Sequence, residues 1–245
     1  MSPISVAAIA FVLTFGCAVA ATFVREWLPP AHLSKESQDV VRLGIGLVAT
    51  MTALLLGLVT AAARSAFDVQ DVAVRNGAAN ILTLDRHLAR YGPETAATRD
   101  LIRRALAARI AADSPVVLTG AAPAPVEEIE NQILALTPQT DTQRWFKTEA
   151  LKLSEDVVKA RWRTLGSGGA VPVPFLVVVI FWLMVTFTSF GLYAPRNATV
   201  IAVLAVTAFS VAGAVFLILE LDGPFDGIIR VSGAPLQYAL TQLSQ

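Results

Sequence analysis

Four long runs of apolar residues divide the sequence. They cover residues 4–24, 43–63, 171–193 and 199–219, and they are almost free of charged side chains. Each run has roughly twenty residues, enough to cross a hydrocarbon core about 30 Å thick at about 1.5 Å per residue. A core helix of a soluble protein keeps a polar face, and these runs have none. The pattern therefore predicts an all-α membrane protein with four transmembrane helices.

A long polar segment, residues 64–170, separates the second and third runs and is predicted to be helical. Up to Tyr91 it continues the second run, with apolar residues at helical spacing, and Gly92-Pro93 then ends the helix. Asp141 is predicted to cap a long helix that ends near Leu165. No strand pattern is evident in the sequence.

The segment that follows the fourth run, LELDGPFDGIIRVSGAPL, combines acids, glycines and prolines. We interpret its first part as a turn where the chain leaves the membrane, because proline ends a helix. Ser232 is predicted to cap a last short helix. The acids lack the alternating oxygen spacing of a calcium loop, so no metal is predicted. The turn consists of Glu220, Asp222, Gly223, Pro224, Phe225, Asp226 and Gly227.

Basic residues predict the orientation of the chain in the membrane. The segment 64–170 holds 14 of the 19 Lys and Arg residues, and several of them flank the second and third runs. Positively charged flanks favour the cytoplasmic side of a membrane. The protein is therefore predicted to lie in the cell membrane with both termini on the cytoplasmic side. The predicted organisation is a first transmembrane hairpin (1–63), a cytoplasmic helical segment (64–170), a second transmembrane hairpin (171–219) and a cytoplasmic exit turn and docking tail (220–245).

Composition removes several classes of function. Only 16% of the residues are charged, against about 25% in a soluble domain. No phosphate loop, metal-binding motif or nucleophile with a base is recognisable, so we expect no enzyme and no cofactor. The arginines of the polar segment are nearly balanced by 13 acids, which argues against nucleic acid as a partner. The middle of each run lacks ionisable residues, which disfavours an ion-coupled transporter and leaves a channel open.

The second run carries the candidate functional residues. Small residues recur there at three- and four-residue steps, including Gly46, Ala53 and Gly57. This stripe is typical of close helix packing, and it is also compatible with a face that lines a pore. The pore-lining or neck candidates are Val48, Thr50, Met51, Leu55, Leu58 and Thr60.

Several phrases together resemble a known family. They are HLSKESQDVVRLGIGLVATMTALLLGLVTAAAR (32–64), ARW (160–162), FWLMVTFTSFGLYAPRNATV (181–200) and LELDGPFDGIIRVSGAPL (219–236). The pattern is similar to the bestrophin-like domain family of bacterial and plant membrane proteins. The resemblance covers nearly the whole chain and implies distant kinship with bestrophins, which are pentameric anion channels with four spans and cytoplasmic termini.

The sequence also departs from bestrophins. It has no Arg-Phe-Pro tripeptide, no run of consecutive acids for a calcium clasp and no phenylalanine among the neck candidates. The leading hypothesis is an oligomeric channel in the lipid bilayer, a pentamer by resemblance, with an anion as the conducted species. The alternative is a non-conducting membrane scaffold that acts through its cytoplasmic helices.

Overall fold

A computed structural model describes residues 2–29, 34–111, 124–166, 171–225 and 227–244, and all regular structure in these ranges is helical. The α-helices are α1 (Pro3–Val24), α2 (Lys35–Tyr91), α3 (Ala96–Ala111), α4 (Ala124–Ala135), α5 (Asp141–Gly166), α6 (Val173–Tyr193), α7 (Ala198–Asp222) and α8 (Ala234–Leu243). Short 3-10 helices follow α1 and α2, at Arg25–Trp27 and Pro93–Thr95.

Four helices, α1, α2, α6 and α7, are long and apolar enough to cross a membrane. This finding confirms the predicted fold class. Helices α2 and α7 extend past their apolar runs because polar ends continue them. Helix α2 begins at Lys35, eight residues before the second run, and Ser34 accepts the Ser37 amide at 3.3 Å. Gly92, with φ of 147°, ends α2 as predicted, since such a φ favours glycine.

The chain forms two compact units. We call Met1–Ala66 with Gly169–Gly223 the span unit, and Phe67–Gly168 with Pro224–Gln245 the polar unit. Helix α2 contributes its first part to the span unit and the rest to the polar unit.

In the span unit, α1 packs against α6 and α7. Gly191 of α6 meets the backbone of α1 so closely that an added Cβ would overlap the carbonyl oxygen of Ala18. Small residues allow two helix backbones to approach in this way. The buried core of the unit consists of Ala18, Val179, Leu183, Phe187, Leu204 and Ala208.

The polar unit has its own aliphatic core, which α2, α3, α4, α5 and α8 share. Leu88 of α2, Ile133 of α4 and Leu236 of α8 are almost fully buried in it. Helix α8 therefore packs into the core. Its predicted cap is displaced by one residue: Gly233 is the N-cap, and Ser232 only accepts the Ala234 amide at 3.2 Å.

An ion pair joins α2 to α3 in the polar unit. Arg99 donates to both carboxylate oxygens of Asp85, at 2.7 and 3.0 Å, and Asp85 is 5% exposed. These hydrogen bonds raise the pKa of Arg99. The part of this stabilisation that depends on the Arg99 proton is therefore fully present below the ordinary pKa of arginine and is lost as the pH rises through the raised value.

The predicted cap of α5 is wrong. Thr140 Oγ1 accepts the Gln143 amide at 3.1 Å, and Gln143 Oε1 accepts the Thr140 amide at 3.3 Å. This reciprocal arrangement is a capping box. Asp141 instead pairs with Arg144 at 2.9 Å and is almost fully exposed.

Candidate functional site

The apolar part of α2 is the least covered of the four spans. Only 6% of its most apolar stretch is buried, against 22% for α1 and 28% for both α6 and α7. Its buried side includes Thr52, and Leu55 and Leu56 pack against the core of the span unit. The opposite side has no cover from the described part of its own chain.

The structure divides the predicted neck residues between these two sides. Met51 and Leu58 are exposed, whereas Val48 is half-buried and Leu55 contacts the core. The sequence reasoning did not select the large exposed residues that lie beside Met51 and Leu58. These residues are Val40, Leu43, Leu47 and Leu54. These residues recur at three-, four- and seven-residue steps, which is helical spacing. The spacing could not be recognised in the sequence because nearly every position of the run is apolar.

Thr50 and Thr60 lie on the exposed side of α2. Their hydroxyls donate to the carbonyls of Gly46 and Leu56, at 2.8 and 2.6 Å. Each hydroxyl thus donates its proton to a carbonyl of its own helix, and its oxygen can still accept a hydrogen bond on the exposed side. Gly46 and Gly57 lie nearby, and a Cβ on either would meet nothing within 4 Å.

The predicted exit turn begins one helical turn later than the apolar run suggested. Glu220 and Asp222 still belong to α7, and Glu220 is only 2% exposed. Asp222 accepts the Val171 amide at 3.0 Å, just before α6 begins. A carboxylate at a helix N-terminus is stabilising, so Asp222 fixes the start of the third span.

Gly223 caps α7, as predicted for a helix stop. Beyond it, Phe225 packs against the core of the polar unit, and Pro224 accepts the Val231 amide at 2.9 Å. Gly227 has φ of 102°, which favours glycine. Asp226 lies outside the described residues.

Basic side chains hold the C-terminal ends of α1 and α6 together. Arg25 donates to the Ala194 carbonyl at 2.8 Å, and Arg196 pairs with Glu26. The Arg196 guanidinium also lies 4.2 Å from the centre of the Phe23 ring. Both cations are thus engaged within the chain.

Two further side chains with potential for chemistry, His87 and Cys17, lie in different units. His87 stacks on Trp145, with 5.5 Å between ring centres, in the polar unit. Cys17 is half-buried in α1. Within the described ranges, no three or more His, Cys, Asp or Glu side chains are grouped so that they would hold a metal ion.

Four apolar helices with a separate helical unit define the class: an all-α integral membrane protein. The Bestrophin-like domain model matches residues 12–236. The chain belongs to the Bestrophin-like family.

Solved structures share the fold at low identity. One is a variant of a bacterial bestrophin homologue from Klebsiella pneumoniae, 18% identical, with 96% of this chain and 97% of that chain covered and a TM-score of 0.62. A second variant of that homologue is 16% identical, with 96% of both chains covered and a TM-score of 0.65. A crystal structure described only as that of a membrane protein is also 16% identical, with 96% of both chains covered and a TM-score of 0.65. No curated protein matches the sequence.

Proposed function

We propose that the protein is a non-enzymatic, oligomeric membrane channel that passes anions, with α2 of each copy facing the path. Membership of the Bestrophin-like family supports a channel, and kinship with bestrophins supports a pentamer. The charge pattern supports a location in the cell membrane with both termini and the polar unit on the cytoplasmic side.

The uncovered side of α2 is the observation that carries the proposal. Lipid alone would cover exposed leucines, but it does not account for small residues on the same side. Gly46 and Gly57 have open space where a side chain would stand. Such residues are enriched where membrane helices approach closely. The stripe therefore favours contact with another copy of α2.

The path would be mainly apolar where it passes α2. Leu54 is 75% exposed and Leu58 64% exposed, while the Thr50 hydroxyl already donates within its helix. An apolar constriction gates by excluding water, and it needs no charged ligand. The spans also carry no acid in their middle portions to repel an anion.

Chloride flux through liposomes tests conduction and the assignment of α2 together. Cys17 is the only cysteine of the chain, so Cys17→Ser gives a cysteine-free background. In that background we expect a chloride leak, which a charged thiol reagent reduces at least about twofold in Leu54→Cys. Leu55→Cys is the matched control, because Leu55 packs against the core of the span unit.

Two results would contradict the proposal. Conduction is excluded if oligomeric protein leaks no more chloride than empty liposomes. The assignment of α2 is excluded if the reagent blocks Leu55→Cys but not Leu54→Cys.

A membrane scaffold is the second candidate. Leu134 at the end of α4 and Trp145 near the start of α5 are 52% and 54% exposed in the polar unit. Exposed aromatic residues are frequent anchors for partners. A non-conducting chain that retains a defined partner protein, and loses it on Trp145→Ala but not on Tyr238→Ala, would favour this function.

A further inference from the structure

The span unit contains an open pocket where three of its elements end or begin. The pocket has a volume of about 570 Å³ and lies between the residue after the first 3-10 helix, the first turns of α2 and the last residue of α6. Small-molecule sites have volumes of roughly 300–1,000 Å³. The lining residues are Leu28, Glu36, Ser37, Val40, Val41 and Tyr193.

Two polar groups in this pocket have no partner in the described part of the chain. The Glu36 carboxylate makes no ion pair or hydrogen bond there, and neither does the Tyr193 hydroxyl. Two arginines at this end of the unit are engaged elsewhere: Arg25 donates to Ala194, and Arg196 pairs with Glu26. The described lining thus combines one carboxylate and one aromatic ring, and it includes no basic residue.

The rest of the lining is aliphatic. Leu28, Val40 and Val41 supply its apolar part, and Val40 is 70% exposed. A ligand that suits both parts has a cationic head and a carbon chain. An anion would meet the Glu36 carboxylate with no basic residue among the lining residues, which disfavours an anionic ligand.

We propose that this pocket binds an alkylammonium group. The ammonium group donates a charge-assisted hydrogen bond to the Glu36 carboxylate. It also lies against the Tyr193 ring, where a cation is attracted by the face of the ring. The carbon chain lies along Leu28, Val40 and Val41. Because the pocket is at the ends of apolar spans, where tyrosines mark the membrane interface, the group belongs either to the head of phosphatidylethanolamine or to a soluble amine.

The test measures ligand binding to the full-length protein in detergent and does not depend on conduction. Native mass spectrometry with phosphatidylethanolamine and with phosphatidylcholine tests the lipid source, and calorimetry with hexylamine and with hexanol tests the soluble one. We expect Glu36→Gln to weaken binding of the amine ligand about tenfold, the loss of one charge-assisted hydrogen bond. Tyr193→Phe keeps the ring and should weaken binding less, by about twofold to threefold.

Asp39→Asn is the matched control, because Asp39 is an exposed acid on the same helix that does not line the pocket. It should leave both affinities unchanged. Glu36-dependent binding of phosphatidylethanolamine, but not phosphatidylcholine, supports a lipid site, and Glu36-dependent binding of hexylamine alone supports a soluble-amine site. The proposal is overturned if Glu36→Gln, folded by size-exclusion chromatography, binds both amines as the parent does. It is also overturned if hexanol binds as tightly as hexylamine.

Discussion

The span unit and the polar unit are held together by different means. In the span unit, hydroxyls such as Thr14 and Thr186 donate to carbonyls of their own helices, at 2.7 and 2.9 Å. Along the apolar parts of the spans they therefore leave contact between helices to shape, while polar contacts such as that of Arg25 with Ala194 join the helices at their ends. The polar unit has an aliphatic core, and in addition the Asp85–Arg99 ion pair joins α2 to α3. Lipid tails are as apolar as the side chains they touch, so in a membrane the fit of two surfaces replaces the hydrophobic drive.

The largest expected effect belongs to Gly191→Ala, which tests the fit between helices in the span unit. The new Cβ would overlap the Ala18 carbonyl oxygen, so α1 and α6 must move apart. We expect a loss of about 3 kcal/mol of stability, measured as a fall of the melting temperature in detergent. Gly213→Ala in α7 is the control, because its Cβ meets nothing within 4 Å. Equal melting temperatures for the two variants would contradict shape fit as the basis of this unit.

Asp85→Ala makes the corresponding test in the polar unit. It leaves the Arg99 guanidinium without its partner, and we expect about 2 kcal/mol of destabilisation, measured by chemical denaturation followed by circular dichroism. Asp100→Ala is the control, since Asp100 is an exposed partner of Arg103 and Arg104. Its loss should cost less than about 0.5 kcal/mol. If the two substitutions cost the same, burial of the pair contributes nothing.

The smallest expected effect concerns the cap of α5. Thr140→Ala removes the side chain that accepts the Gln143 amide, and we expect a loss of about 1 kcal/mol. Asp141→Ala removes only an exposed ion pair with Arg144, so it should cost under about 0.5 kcal/mol. Circular dichroism during thermal unfolding separates the two variants. A larger loss of stability in Asp141→Ala than in Thr140→Ala would support Asp141 as the cap, as predicted from the sequence.

The spans were predictable from the sequence because each needs only a run of apolar residues. The same holds for the stop at Gly92-Pro93 and for α8, whose breakers and apolar spacing are local signals. The α5 cap was misplaced because Thr140 and Asp141 are adjacent and both are good caps. Only the Gln143 contact distinguishes them.

The exposed side of α2 and the role of Asp222 could not be predicted in this way. Leu54 and Leu55 are equally apolar neighbours, and only the fold places Leu55 against the core. Asp222 binds the Val171 amide, 51 residues away in the chain. Neither contact, that of Leu55 with the core or that of Asp222 with Val171, produces a periodic pattern that a single sequence would show.

The contact between Gly191 and Ala18 also limits how this chain can change over evolutionary time. While α1 and α6 keep their spacing, glycine at position 191 is the only residue that fits, because every other side chain begins with the Cβ that would overlap Ala18. A descendant that carries any larger residue there must first have separated the two helices. The identity of one residue thus records the distance between two spans throughout a lineage.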